Sequence, residues 1–260
     1  MNRRMHIAAT DAIYPVTALF VGVTCWWAIT LATEVPPFVL PPPNAIVVRL
    51  AGNPLLYLTN AWYTLWKVVY GGTIGITAGI ALAVFVAYVP WFRRAIYPYL
   101  VTVRVLPKLA IAPLLLIYLG TGMTTAIVFI ALITFFPLVL NTAAGLDRAS
   151  AEYHELLRSV DASPLERILY VDVPYAIPDV FAGLKQSVTL AVVGAVVAEW
   201  VVADNGLGFL ILMGSENVRT DIMLAALFVL SIEGLLVYGA VALAQRGVDD
   251  RLDLGSVDHN

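Results

Sequence analysis

Charged residues are scarce in this sequence. Aspartate, glutamate, lysine and arginine make up 13% of its 260 residues, against roughly 25% in a soluble globular domain. That deficit excludes an ordinary water-facing surface. With 60% hydrophobic residues and a mean hydropathy of +0.86, the chain reads as a polytopic membrane protein. Cysteine occurs once, as Cys25 inside a hydrophobic run, so disulfides and thiolate metal sites are excluded. His6, His154 and His259 stand far apart and give no metal-ligand spacing. No Gly-x-x-x-x-Gly-Lys-Ser/Thr run is present, so the chain cannot cradle nucleotide phosphates by that route. His154-Glu155 lacks the second histidine of a zinc hydrolase, and no pair of aspartates falls inside a hydrophobic span. The net charge of −3 is scattered through loops, and without a basic patch nothing suggests nucleic acid.

Six hydrophobic spans are present, near residues 13–33, 61–89, 97–119, 124–146, 179–203 and 222–244. About 20 apolar residues suffice to cross a ~30 Å hydrocarbon core, so the first, behind Arg3 and Arg4, reads as an uncleaved span. Residues 34–58 hold Pro36, Pro37 and the run Leu40-Pro41-Pro42-Pro43-Asn44, which predicts an extended crossing before a short amphipathic piece. Two spans carry small residues every fourth position: Gly71, Gly75, Gly79, Ala83 and Ala87 in the second, and Gly183, Ser187, Ala191 and Ala195 in the fifth. Such stripes let another backbone come close, and the fifth-span stripe continues in register to Glu199.

The third span contains Arg104 and Lys108 one turn apart, with Pro107 between them and Pro113 beyond. Two cations and two prolines predict a broken helix that lines protein or water. Pro137 predicts an interruption of the fourth span. Arg104, Lys108 and Glu199 are the candidates for a polar constriction on a translocation path, the competing reading being an ion pair that fixes helix register. Lys67 and Lys185, near span ends, read as snorkelling side chains. Glu233, in the sixth span, has no evident partner.

The longest polar interval is 147–178, DRASAEYHELLRSVDASPLERILYVDVPYAIP. A first helix, about 149–160, puts Tyr153, Leu156, Leu157 and Val160 on one face. Asp161 and Ala162 make a corner, aspartate being tolerant of left-handed geometry. Ser163 caps a second helix, with Pro164 at its first position and Glu166 completing a capping box. Pro174 and Pro178 are expected to end it. A polar helix–corner–helix with apolar faces is a docking surface. With the N-terminus inside, the inner segments hold Arg3, Arg4, Arg93, Arg94, Arg148, Arg158, Arg167, Arg246 and Arg251, and the outer ones only Arg49 and Arg219. That asymmetry places the loop and both termini in the cytoplasm.

This loop resembles the cytoplasmic coupling loop of ABC-importer permeases. Glu155 falls at the family's Glu, Leu156 and Leu157 at its two Ala, and Asp161 at its Gly; Val171, Val173 and Pro174 then fall at its Ile, Leu and Pro. The spacing is intact, although Ala-Ala has become Leu-Leu and Gly has become Asp. The segments 106–113, 135–142 and 206–210 are similar to the nitrate/sulfonate/taurine-type permeases, and 183–195 to those for the thiamine-precursor pyrimidine and for riboflavin. The resemblance implies an all-α, six-span type I importer permease in a single domain. It implies a second permease copy, two ATP-binding subunits, and an extracytoplasmic substrate-binding protein. ATP and Mg would be held by the partner ATPase and no cofactor by this chain. It assigns ATPase coupling to Glu155, Leu156, Leu157, Val160, Asp161, Ala162, Ser163, Pro164 and Pro174. A channel or secondary carrier also uses broken helices and buried charges, but neither requires the two-helix loop.

Overall fold

A computed structural model describes residues 2–33, 35–105, 107–149, 151–202 and 204–252, and among them there is no strand. Among the described residues, five stretches are long and apolar enough to cross a membrane. They fall in helices α1 (Asn2–Ala32), α3 (Pro54–Tyr88), α6 (Met123–Leu146), α9 (Val173–Val202) and α11 (Thr220–Leu252). Between α1 and α3 the prolines give way to a short helix, α2 (Pro43–Gly52), whose first position is Pro43. The third expected span is built in pieces: α4 (Pro90–Val105), a 3₁₀ turn (Lys108–Ile111) and α5 (Ala112–Leu119). Pro107 precedes the 3₁₀ turn in a non-helical conformation, and Pro113 lies in the first turn of α5, where a missing N–H costs nothing.

Helix α6 is the centre of the molecule, with α3 against one side and α9 against another. The two small-residue stripes explain why. A Cβ on Gly71 would lie 2.6 Å from Ile130 Cβ, and one on Gly75 would lie 2.1 Å from Thr134 Oγ1 and 2.4 Å from the Ala131 carbonyl. Gly79 is held less tightly, with a Cβ there 3.0 Å from the Phe135 carbonyl. From the other side, a Cβ on Gly183 would sit 3.0 Å from Leu138 and Asn141 side chains. Ser187 Oγ donates to the Thr134 carbonyl at 2.8 Å, while Ala191 and Ala195 are buried against Val68 and Ile130. In lipid, where apolar surface gains little from leaving the hydrocarbon, close backbone approach is the main source of helix adhesion. Outward-facing side chains are large and apolar, among them Leu19, Ile117 and Leu235, the inverse of a soluble protein.

Two expectations about proline fail. Helix α6 runs unbroken through Pro137 over 24 residues. In the turn that lacks the proline N–H, the Ser187 hydroxyl of α9 supplies a donor to the Thr134 carbonyl. Nor do Pro174 and Pro178 end the second loop helix. It passes through a π turn (Ile168–Asp172) directly into α9, which contains both. Val173 N–H donates five residues back to Ile168, and Pro174 has no N–H to continue the four-residue ladder, so a widened turn absorbs it.

Candidate functional site

Three features of this fold can do work: the two-helix loop, a buried ionic knot and a cavity on α6. The loop comprises α7 (Ala151–Ser159) and α8 (Pro164–Arg167). Between them Asp161 adopts φ +54°, with Ala162 N–H donating to the Leu157 carbonyl at 2.9 Å. The capping box forms: Ser163 N–H donates to Glu166 Oε2 at 2.7 Å, and Glu166 N–H returns a bond to Ser163 Oγ at 3.3 Å. These bonds from Ser163, first the hydroxyl and then the N–H, hold the Glu166 carboxyl below its ordinary pKa. Leu156 and Val160 are 61% and 66% exposed, Leu157 and Ala162 are partly covered, Glu155, Ser163 and Pro164 are exposed, and Pro174 is half-buried. Polar clamps tie the base of the loop to the spans. Arg93 holds Asp147 with two bonds, the Nη1–Oδ1 one at 3.0 Å. Arg148 meets Asp179 at 3.1 Å, and Tyr88 donates to buried Asp172 at 2.9 Å.

The knot lies at the far end of α9. Glu199 is fully buried; its Oε1 accepts from Lys67 Nζ and Thr64 Oγ1, both at 2.9 Å, and its Oε2 from Gly208 N–H at 2.7 Å. Lys67, expected to snorkel, is instead 3% exposed and also donates to the Asn205 carbonyl (2.8 Å) and Oδ1 (3.1 Å). Beside it begins α10 (Leu207–Glu216). The first N–H groups of this helix would be orphans, but side chains from α3 and α9 take them. Gly206 N–H reaches Asn60 Oδ1 (2.7 Å), Leu207 N–H reaches Thr64 Oγ1 (2.8 Å), and Gly208 N–H reaches Glu199. The carboxylate thus sits at the positive end of α10. Gly206 has φ +115°, and a Cβ there would lie 2.1 Å from Glu199 Oε1, so the loop needs its glycine.

Sequence reasoning missed Lys67, Thr64 and Asn60. A signal was available: Lys67 precedes Gly71, Gly75 and Gly79 by the same four-residue step. A lysine on a stripe that faces protein cannot reach the headgroups. The two stripes run antiparallel, and each ends in a charge of opposite sign.

Lys108 is not part of the knot. Its Nζ stands 5.1 Å from the centre of the Phe136 ring, at a cavity of about 330 Å³ bounded by Tyr97, Phe136, Asn141, Gln186 and Leu190. Arg104 lies in α4, its side chain outside the described part of the structure. Among the described residues no group of histidine, cysteine or carboxylate side chains could hold a metal ion.

Residues 75–250 match the family of binding-protein-dependent transport system inner membrane components. This chain belongs to that family. It is a permease subunit of an ABC importer, a multi-pass protein of the plasma membrane. The permease is 31% identical over 225 residues to a probable ABC transporter permease protein of Haemophilus influenzae, covering 86% of this chain and 92% of the other. It is also 31% identical over 230 residues to the formylaminopyrimidine transport permease protein ThiX of Halalkalibacterium halodurans, covering 86% and 90%. Other relatives are named for riboflavin, taurine, aliphatic sulfonate and nitrate transport. The fold is that of the inward-facing MetNI methionine ABC transporter, at a TM-score of 0.65 and 19% identity over 76% of this chain and 98% of the other. Family membership brings ATPase and binding-protein partners in general terms.

Proposed function

We propose that this permease works as a pair of identical copies, with two ATP-binding subunits beneath the 147–178 loop and a substrate-binding protein on the opposite face. The observation that carries this reading is the loop itself. It leaves Leu156, Val160, Leu165, Leu169 and Tyr170 uncovered, a cost that contact with a partner subunit removes. Both termini and the loop are cytoplasmic, in keeping with the arginine distribution. ATP and Mg are bound by the ATPase subunits, and closure of those subunits pushes α7 and α8. The Arg93–Asp147 and Arg148–Asp179 pairs link that motion to α4 and α9. Glu155, Leu157, Asp161, Ala162, Ser163 and Pro164 shape the same surface. Pro174 sits where the loop becomes α9.

The imported solute is a small N-heterocycle of the thiamine-precursor pyrimidine type, a reading supported by the 183–195 segment and by the ThiX relative. The alternatives are riboflavin, or a sulfonate, taurine or nitrate with Lys108 and Arg104 as the attracting cations on the path. For Glu199, full enclosure by Lys67, Thr64 and Gly208 favours the register-fixing role over contact with solute.

The test uses the complex reconstituted in proteoliposomes with its ATPase and binding protein. Val160→Asp is expected to abolish substrate-stimulated ATP hydrolysis and uptake while leaving helix content unchanged. Wild-type stimulation in that variant would overturn the coupling assignment.

A further inference from the structure

The binding protein selects the solute before it reaches the permease, yet the cavity on α6 has the chemistry of a second selection step. Gln186 lies half-way along the 30-residue α9 and is exposed. A glutamine in the middle of a membrane helix needs polar company or a solute, since lipid offers it neither donor nor acceptor. Its company is Asn141 across the cavity. Asn141 Nδ2 donates to the Pro137 carbonyl at 2.7 Å and, more weakly, to Gln186 Oε1 at 3.4 Å. Those two bonds use both N–H groups of Asn141. They leave Asn141 Oδ1 as an acceptor and the Gln186 amide NH₂ as a donor, side by side at the cavity wall.

Around this pair stand the rings of Phe136 and Tyr97, with Lys108 above Phe136. The volume of about 330 Å³ is at the small end of the range of small-molecule sites. We infer that this cavity is a solute-binding site within the permease, selective for a planar heteroaromatic ring that presents a hydrogen-bond donor next to an acceptor. Asn141 and Gln186 read that edge, Phe136 and Tyr97 cover the ring, and Lys108 takes a ring nitrogen or carbonyl. A sulfonate or nitrate fits less well, because Asn141 Oδ1 would face the anion with a second acceptor. The inference rests on the importer reading above and assigns it residues.

The purified full-length chain in lipid nanodiscs, without partners, is titrated calorimetrically with formylaminopyrimidine, riboflavin, taurine and nitrate. Saturable binding of a heteroaromatic probe is expected, weakened roughly tenfold in Gln186→Leu and in Phe136→Leu, with thermal unfolding unchanged in Gln186→Leu. Asn141→Leu also strips a bond from the Pro137 carbonyl, so Gln186→Leu, whose side chain is exposed, is the decisive variant. Binding of neither heteroaromatic probe, or binding undiminished in both variants, overturns the assignment. Saturable taurine or nitrate binding lost in Lys108→Gln also overturns it, by making the cavity an anion site. Failure of the importer reading is separable, because it would appear in the Val160→Asp test with the ATPase present.

Discussion

Replacing Lys67 by methionine keeps most of the side chain's length and removes its charge and donors. The carboxylate of Glu199, fully buried, would then keep only Thr64 Oγ1 and Gly208 N–H as partners. Breaking a buried pair from one side costs about 3–5 kcal/mol, because the remaining charge is uncompensated. The Asn205 carbonyl and side chain lose their donor as well, so the upper half of that range is expected. The companion variant Lys67→Met/Glu199→Gln removes both charges yet keeps an acceptor for Gly208 N–H and a group for Thr64. It should recover all but about 1–2 kcal/mol, which makes it more stable than Lys67→Met by roughly 2–4 kcal/mol. Reversible unfolding in mixed micelles measures both, and hydrogen exchange at Gly206 and Gly208 reports whether the start of α10 loosens. If Lys67→Met were within about 1 kcal/mol of wild type, or if the double variant were less stable than the single one, the knot would not be what joins α3, α9 and α10.

Gly75→Ala should destabilise the bundle by about 1–3 kcal/mol or more, since the new methyl would meet Thr134 Oγ1 and the Ala131 carbonyl. Gly239→Ala, where nothing lies within 4 Å, should be neutral or slightly stabilising in the same assay. The Glu166 carboxyl is held down by Ser163. Its support of the α8 start should therefore be complete above the ordinary carboxylate pKa and vanish only as pH falls through the lowered value. A side-chain carboxyl NMR titration should show that low midpoint return towards 4.5 in Ser163→Ala.

Much of the loop was legible because its signals are local. Ser163, Pro164 and Glu166 are adjacent in sequence, and a cap depends on three or four residues; the left-handed corner at Asp161 is equally local. The proline predictions failed for the opposite reason. Whether Pro137 breaks a helix depends on what packs against the turn before it, where Ser187 of α9 donates to the Thr134 carbonyl. Whether Pro178 does so depends on the packing of α9 against α6. The cavity was half visible: Lys108 stood out as a charge in a span, whereas Asn141 and Gln186 are ordinary residues until α6 and α9 set them face to face.

Composition and spacing by themselves determined that the chain crosses a membrane several times, where it is polar, and which helix faces are smooth enough for contact. They also determined the spacing by which it resembles importer permeases. Only the tertiary structure decided which charges meet. Lys67 and Glu199 are separated by 132 positions, and a residue's own neighbours carry no information about a partner that distant. Antiparallel packing of two small-residue stripes on α6 brings those positions together and buries both side chains, so the charges pair with each other.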